Sequence, residues 1–373
     1  MNHIRKVSVS AVFLAFLLFM TVLMLALPKT EYSENEKRTL AKAPQVGAEN
    51  IASGQFGKDF ETYLSDHFPL RDLFVGINAY TQLYTGRNGA SGIYACEDGY
   101  LIPTPATLNH QRAVSNMTLL SNFAKNSGLP ATVIAIPNPG YILSDKLPAN
   151  HLSYMDDEAF RIIKENAGDM TVIDLRDTLR NSNDQIYYRT DHHLTSAGSN
   201  EVYRAYCAAL GVVPQTFTCV QTNGNFYGTG YSRSGLWLKK PDMLEIWKTE
   251  NPSAFTVTIK DYAKTETYNS LYFSEHLENL DQYPVFLDGN HEMVIIENQN
   301  VKNGKRLLLF KDSYAHCFAT MAAEDYEMIC MVDLRYYKNF TTSQLIGEYG
   351  ITEILYLYGI ETMMGDTNFG RLM

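Results

Sequence analysis

The C-terminal part of the chain alternates short apolar runs with segments of helical spacing. Apolar runs of this length fit strands that are buried on both faces of a sheet. A strand that returns through a helix to the same side pairs in parallel with its predecessor. The alternation therefore predicts an α/β fold, a doubly wound parallel sheet with helices on both faces. Its elements are strand 306–310, helix 315–323, strand 327–332, helix 342–348 and strand 353–357.

Similar elements are predicted upstream. Strands are expected at 131–137 and 170–175, with helices at 108–125, 156–166 and 196–210. Thr195 or Ser196 can cap the last of these helices, and Gly211 ends it.

Other segments have a different pattern. The stretch 213–300 is richer in Thr, Tyr, Gly and Asn and contains period-two runs, which predicts an insertion with β content. Residues 92–103 alternate around an Asp-Gly turn and predict a hairpin. Residues 56–84 have helical spacing that Pro69 splits in two. We expect a main domain at 91–373 with an insertion at 213–300, preceded by a linker and helices at 29–90.

The N-terminus predicts export. Residues 7–27 contain no charged side chain and are long enough to cross a bilayer as a helix. His3, Arg5 and Lys6 precede this segment, so the positive-inside rule leaves the rest of the chain outside the cytoplasm. A cleaved signal peptide is the alternative, but residues 25–28 lack the small-x-small pattern of a cleavage site. We therefore expect a transmembrane signal-anchor at 1–28.

Charge and cysteine content exclude some classes of protein. The formal charge is -10, from 31 basic and 41 acidic residues, which argues against a general nucleic-acid binder. The five cysteines form no CxxC pair, so a zinc knuckle or a thioredoxin motif is not expected. Cys207 and Cys219 could form a local disulfide, or all five could be buried free thiols.

A serine follows the first of the C-terminal strands. Ser313 lies three residues after the apolar run 307–310 and just before the next predicted helix. This position exposes the hydroxyl and directs the helix dipole and backbone N–H groups of the first turn, which could include Tyr314 and Ala315, towards any oxyanion formed beside it. An ordinary helix N-cap is the alternative. Asp312 is expected to orient the turn.

A carboxylate and an imidazole lie far upstream, at Asp191 and His193. One residue apart, they would lie on the same side of an extended segment, where Asp191 can accept a hydrogen bond from Nδ1 of His193. Nε2 is then free to take a proton from a serine hydroxyl. The alternative is that both cap the following helix. His192 is expected to point the other way and to have a structural hydrogen bond; the alternative is that it exchanges roles with His193.

The same letters raise the question of a metal. Asp191, His192 and His193 match the name-giving string of the DHH phosphoesterases, which need further aspartates that the upstream sequence lacks. Adjacent histidines on an extended segment also chelate one ion poorly. We expect neither a metal nor another cofactor.

Three further residues are candidates for contacts with substrate or an oxyanion. Tyr314 neighbours the serine, and Arg335 follows the next predicted strand, so both should lie at the carboxyl edge of the sheet. A surface salt bridge is the alternative for Arg335. Asn138 follows strand 131–137 and is a candidate for a second oxyanion donor.

The motifs together resemble a known family. The string TDHHLT at 190–195 is similar to the signature of the DHHW proteins, which are related to SGNH-type alginate O-acetyltransferases. Leu194 stands where the family has its tryptophan. Further agreement comes from EKRTL at 36–40, YLSDHFPLR at 63–71, YYR at 187–189, FYGT at 226–229 and KDSY at 311–314.

The resemblance implies an SGNH-hydrolase-like domain with Ser313 as nucleophile, His193 as base and Asp191 as orienting acid. It also implies O-acetyl transfer to an exported polysaccharide, with the acyl group delivered by a separate membrane-bound O-acyltransferase. Two alternatives are an acetylesterase with the same triad and a non-catalytic glycan-binding subunit of an export complex.

Overall fold

The central feature of the fold is a mixed β-sheet. The computed structural model describes residues 2–262, 264–338 and 341–372, without the side chains of residues 2–7, and in this part of the chain the sheet has eight strands. The strands are β1 Ala131–Ile136, β2 Thr171–Ile173, β3 Phe255–Asp261, β4 Lys264–Tyr268, β5 Met293–Asn298, β6 Arg306–Lys311, β7 Met328–Val332 and β8 Glu353–Gly359.

The strand order across the sheet is β4-β3-β5-β7-β6-β8-β1-β2. The five strands from β7 to β2 pair in parallel, which confirms the predicted doubly wound α/β fold. Strands β3, β4 and β5 extend the same sheet in antiparallel pairing. All three come from the segment 213–300, and β3 and β4 are joined by a short connection, which favours an antiparallel pair.

Helices cover both faces of the sheet, and the strand residues alternate between two cores. Leu307 and Leu309 of β6 pack with one set of helices, through residues such as Val202 and Phe318. Leu308 and Phe310 pack on the opposite face with residues such as Met117. Both faces of the central strands are therefore dry, which explains their near-continuous apolar sequence.

The helices of this part of the chain follow the predicted spacing closely. Thr195 caps its helix by accepting a hydrogen bond from the N–H of Gly198, and Gly211 ends that helix with a φ of 67°. The helices are His110–Ser127, Pro139–Ile142, Asp156–Asn166, Arg176–Arg180, Ser196–Leu210, Thr229–Ser234, Ala315–Ala322, Thr342–Tyr349 and Ile360–Gly365.

Two smaller antiparallel pairs and several single turns complete the main part. Strands Ile93–Ala95 and Leu101–Pro103 form the predicted hairpin around Asp98, whose φ is 53°. Strand Thr218–Phe226 pairs with Asp242–Lys248. The 3-10 turns are Glu97–Gly99, Ser144–Lys146, Ser274–Glu278, Tyr283–Val285 and Phe369–Leu372.

The chain divides into two units. One contains residues 92–230 and 239–373, with the large sheet, and the other contains residues 1–91 and 231–238. The second unit has a predicted break at Pro69 between two helices, which the structure confirms. Its elements are helices Asn2–Ala26, Ala48–Ala52, Gln55–Asp66 and Arg71–Tyr84, and short strands Tyr32–Ser33, Arg38–Thr39 and Gly89–Ala90.

The N-terminal helix is a candidate membrane span. Among the described residues, one helix, Ser8–Ala26, is long and apolar enough to cross a membrane, and an N-terminal signal sequence has the same properties.

All five cysteines lie in the described part of the chain and are free thiols, so the predicted alternative of a Cys207–Cys219 disulfide is not adopted.

Replacing Phe310 with Ala tests the assignment of the core. Phe310 is fully buried between the rings of Phe123 and Tyr356, each 5.4 Å away between centroids. We expect Phe310→Ala to lower the free energy of unfolding by about 3–5 kcal/mol, because the lost ring leaves a cavity. Urea unfolding of the full chain in detergent measures this. The exposed control Val213→Ala should change it by less than about 0.5 kcal/mol. Equal effects of the two substitutions would contradict the packing described above.

Candidate active site

The site begins in a tight loop that carries the Asp-His-His string. An isolated bridge between Tyr187 and Leu194 closes the loop, and the N–H of Tyr188 donates to the carbonyl of His193 at 3.2 Å. Backbone pairing at both ends forces the residues between them into a bend. The expectation of an extended segment at Asp191 and His193 is therefore wrong.

The buried carboxylate of Asp242 holds the first half of this loop. It accepts hydrogen bonds from the N–H groups of Arg189, at 2.8 Å, and Thr190, at 2.7 Å. The hydroxyl of Thr190 also donates to it, at 2.6 Å. Burial raises the pKa of Asp242, and these three donors favour its ionised form. Asp242 thus fixes the backbone just before Asp191.

Asp191 is itself buried, and both of its carboxylate oxygens have partners. Oδ1 accepts from the backbone N–H of His193 at 2.8 Å and contacts Nδ1 of the same residue. Oδ2 accepts from the backbone N–H of Thr229 at 2.6 Å and from its hydroxyl at 3.0 Å. The residue before Thr229 must be small, because a Cβ on Gly228 would lie 2.0 Å from the Cβ of Asp191.

His193 connects this carboxylate to the serine. Its Nδ1 faces Asp191, and its Nε2 lies 2.7 Å from Oγ of Ser313. With Nδ1–H donating to the carboxylate, Nε2 carries a lone pair and accepts the serine proton. The structure thus brings together Asp191, His193 and Ser313, which are far apart in the sequence. In chemical terms, such an arrangement can make a hydroxyl into a nucleophile.

The turn at Ser313 differs from a helix N-cap. Helix Ala315–Ala322 has no side-chain cap, and the serine hydroxyl faces His193. The N–H of Tyr314 donates to Oδ1 of Asp312 at 3.0 Å, and the N–H of Ala315 donates to its carbonyl at 3.2 Å. The expectation that these two N–H groups face an oxyanion is therefore wrong, because the turn already uses them.

Asp312 has the orienting role that the sequence suggested. It is fully buried, and its Oδ2 accepts from the N–H of Gly359, at the end of the neighbouring strand β8, at 3.0 Å. Burial raises its pKa. Asp312 therefore fastens the serine turn to the adjacent strand. The backbone N–H of Ser313 itself donates to no group in the described ranges.

Tyr283 contacts both His193 and Ser313, which the sequence did not predict. Its ring stacks on the His193 imidazole with centroids 3.9 Å apart and planes 9° from parallel. Its hydroxyl donates to the carbonyl of Ser313 at 3.2 Å. The ring is fully buried, which raises its pKa far above the usual value, so the phenol stays neutral. Tyr283 thus touches both the base and the serine backbone.

His192 does not point away from His193. The two rings lie 4.0 Å apart between centroids, and Nδ1 of His192 lies 2.6 Å from Oγ1 of Thr229. The predicted opposite orientation is wrong, because the loop bends between these residues. The ligating atoms of Asp191, His192 and His193 lie within 4.8 Å of one another, a spacing that a metal ion could use.

The hydrogen bonds of this group do not fit a resident metal. Nε2 of His193 faces the serine hydroxyl, its Nδ1 faces Asp191, and Nδ1 of His192 faces Thr229. A metal would have to break one or more of these bonds to gain three ligands. These ring nitrogens, to which a metal would bind, are thus already used in hydrogen bonds.

The other predicted residues have different surroundings. The hydroxyl of Tyr314 donates to the carbonyl of His192 at 3.0 Å, and its ring meets the His193 ring edge-on. The amide of Asn138 donates to Asp156 at 2.9 Å, and Arg335 forms a salt bridge with buried Asp333 at 2.6 Å. Neither Asn138 nor Arg335 hydrogen-bonds Ser313 within the described ranges.

Arg335 is part of a buried charge network. Lys311, at the end of β6, donates to Nε2 of His316 at 2.8 Å and lies 3.4 Å from Asp333. Burial lowers the pKa of Lys311, and burial together with Lys311 lowers that of His316 far below its usual value. His316 is thus a neutral acceptor, and its ring lies 6.1 Å from that of Tyr283 between centroids. Asp333 is the carboxylate that pairs with both cations of this network, Lys311 and Arg335.

Sequence reasoning missed Tyr283, Asp242, Gly228 and Thr229 as site residues. Gly228 and Thr229 lie in the FYGT string at 226–229, so the resemblance had already marked that position. No local signal marks Tyr283 or Asp242, because their roles arise only from packing across the fold.

Comparisons with known proteins agree with the resemblance. The family model described as DHHW protein matches residues 151–332. The chain is similar to the DHHW proteins, as the sequence motifs predicted. No curated protein matches the sequence.

Solved structures support the same fold. A DHHW family protein from Eubacterium siraeum has a TM-score of 0.65 at 21% identity, and the match covers 76% of this chain and 95% of that one. Bacillus cereus PatB1 with a sulfonyl adduct has a TM-score of 0.64 at 21% identity, covering 75% of this chain and 98% of that one. At 21% identity, these structural similarities establish the fold of this chain.

Gly228→Ala tests how closely the backbone must approach Asp191. The added methyl would overlap the Asp191 side chain, so the carboxylate must move away from His193. We expect labelling of Ser313 by phenylmethylsulfonyl fluoride to slow by about 100-fold, since orientation of the base is lost. Gly224→Ala is the matched control, because its methyl would lie 3.5 Å from Met243 in ordinary contact. Equal labelling of both variants would contradict the geometry.

Two substitutions of Tyr283 separate the effect of its ring from the effect of its hydroxyl. Tyr283→Leu removes the stacked ring, whose face stabilises the imidazolium that forms when Ser313 loses its proton, by about 2 kcal/mol in a dry site. We expect labelling of Ser313 to slow by about 30-fold in Tyr283→Leu. Tyr283→Phe keeps the ring and should stay within about fivefold of the wild type. An equal loss in Tyr283→Phe and Tyr283→Leu would assign the effect to the hydroxyl, which both substitutions remove.

Proposed function

We propose that this chain is a membrane-anchored, extracytoplasmic O-acetyltransferase that modifies a cell-surface or exported polysaccharide through an acyl-serine. The observation that carries this proposal is the position of His193, with one nitrogen on Asp191 and the other 2.7 Å from Oγ of Ser313. The DHHW likeness of residues 151–332 supports it.

The first half-reaction loads the serine. Oγ of Ser313 attacks the carbonyl carbon of the acyl donor while its proton passes to Nε2 of His193. The tetrahedral intermediate carries its negative charge on the former carbonyl oxygen, and we propose that the N–H of Ser313 donates a hydrogen bond to it. The intermediate collapses, the bond to the leaving group breaks, and His193 returns its proton to that group.

The second half-reaction transfers the acyl group. Nε2 of His193 takes the proton of a sugar hydroxyl, and the sugar oxygen attacks the acyl carbon. The Oγ–acyl bond then breaks, the proton returns to Ser313, and a sugar ester leaves. Asp191 stays ionised throughout and stabilises the imidazolium, as buried orienting carboxylates do in serine triads.

The acyl supply requires a partner. Helix Ser8–Ala26 provides at most one membrane span in the described chain, and one span offers no path for an acyl group across a bilayer. We propose that a separate membrane-bound O-acyltransferase delivers the acyl group, and that the helix anchors this chain beside it. Bacillus cereus PatB1, a solved structure to which this chain is similar, is described with a sulfonyl adduct, and sulfonyl reagents react with activated nucleophiles.

Substitution of the three residues tests the reaction. Ser313→Ala and His193→Ala should each lower p-nitrophenyl acetate turnover by about 1,000-fold or more, because neither half-reaction proceeds without the nucleophile or the base. Asp191→Asn should lower it to a similar degree by favouring the wrong imidazole tautomer. His151→Ala is the control and should retain most activity, since its exposed imidazole contacts the carbonyl of Leu152. Turnover that is unchanged in Ser313→Ala would contradict the proposal.

The acceptor of the acetyl group distinguishes a transferase from an esterase. We expect oligosaccharides to accelerate release of p-nitrophenol and to become acetylated, as mass spectrometry of the sugars would show. Release of acetate alone, with no sugar ester at any oligosaccharide concentration, would make the protein an acetylesterase with the same triad.

A further inference from the structure

Helix Arg71–Tyr84 has an exposed apolar side. Positions separated by three, four, seven and eleven residues share one face of a helix. Five large side chains with this spacing are exposed, and the face contains no charge. We call this set the outer face: Leu70, Leu73, Phe74, Ile77 and Tyr84.

The opposite side of the same helix is already covered within its unit. Ala79 is buried, and a Cβ on Gly235 would lie 3.0 Å from Val75 and 3.3 Å from Ala79. Tyr80 accepts a hydrogen bond from the N–H of Leu238 at 3.0 Å. A helix that is apolar on both sides, with one side packed, has a second surface that remains to be covered.

The start of the helix holds an apolar residue in an unfavourable conformation. Leu70 has a φ of 57° and is 56% exposed. Residues with a Cβ rarely adopt this region, where glycine or asparagine is the usual choice. An exposed leucine adds nothing to the packing of the interior. The strained backbone at Leu70 therefore points to a role of this side chain at the surface.

The outer face begins beside the predicted membrane anchor. A cavity in this unit is lined both by Leu27–Thr30, directly after helix Ser8–Ala26, and by Phe68–Asp72. Four residues of chain span at most about 14 Å. The turn that contains Leu70 therefore lies close to where the chain would leave the hydrocarbon.

Polar contacts hold this turn to the segment after the anchor. Arg71 forms a salt bridge with Glu36, and Arg38 donates to Asp66 at 2.9 Å. Asn35 donates to Asp72 at 2.6 Å. These contacts therefore join the start of the outer face to the segment that follows the anchor.

We propose that the outer face lies in the lipid interface of the outer leaflet. This inference rests on the membrane anchoring proposed above. Half-exposed Leu, Phe and Ile match the acyl boundary, into which interfacial helices insert about 5–10 Å. Tyr84 ends the face with a polar tip, which suits the headgroup level. The charged residues Asp72 and Arg71 lie off this face, at the first turn.

Fluorescence quenching in vesicles tests the proposal. The full chain, with its exposed thiol removed by Cys219→Ser, would carry a nitrobenzoxadiazole label at Leu73→Cys, at Ile77→Cys or at the control Lys58→Cys. In phosphatidylcholine vesicles with spin-labelled acyl chains, we expect about threefold stronger quenching at positions 73 and 77 than at 58, because only the first two reach the acyl region. Iodide in the water should quench position 58 instead.

The outcomes separate this inference from the proposed function. Vesicle flotation reports whether the chain is anchored, and sulfonyl labelling of Ser313 in the same sample reports the site. Floating protein in which lipid quenches all three positions equally overturns the lipid contact while Ser313 labelling still stands. Positions 73 and 77 shielded from both quenchers overturn it in favour of a protein partner. Protein that does not float also overturns it.

Discussion

The site depends on one buried negative charge, the carboxylate of Asp191. Such a group is stable in a protein interior only when its oxygens are well paired. Here the backbone and ring of His193 satisfy one oxygen, and the backbone and hydroxyl of Thr229 satisfy the other. Removing the partners of a buried charge costs roughly 3–5 kcal/mol, so the carboxylate itself maintains the geometry that it needs.

Several features of the fold follow from that requirement. Asp242 fixes the loop just before Asp191, and Gly228 has no side chain where one would displace it. Tyr283 confines the imidazole from one side, so that its only free nitrogen faces Ser313. Asp312 holds the serine turn to strand β8. Each of these residues helps to hold the imidazole of His193 against the hydroxyl of Ser313.

The fold was largely predictable because its signals are local. The alternation of apolar strands and helices between 306 and 359 fixed the parallel core, and caps such as Thr195 and Gly211 fixed helix ends. The antiparallel extension by β3, β4 and β5 was not predictable, since pairing direction depends on how the strands connect in space.

The site was predictable only in part. Asp191, His193 and Ser313 were expected together and do meet, although their catalytic role stays a prediction. The orientation of His192 was wrong because backbone bonds at Tyr188 and Leu194 bend the loop, which spacing alone does not reveal. Tyr283 and Arg335 show the same limit: long-range packing placed a tyrosine on the imidazole and tied the arginine to Asp333.

The most direct test is to locate the acyl group itself. The full chain would be mixed with p-nitrophenyl acetate, quenched in acid within the first turnover, digested and mapped by mass spectrometry. The account predicts an acetyl ester on the peptide that contains Ser313, and its loss in His193→Ala. An acetyl group on another residue, or an equal yield on Ser313 without the imidazole, would contradict it.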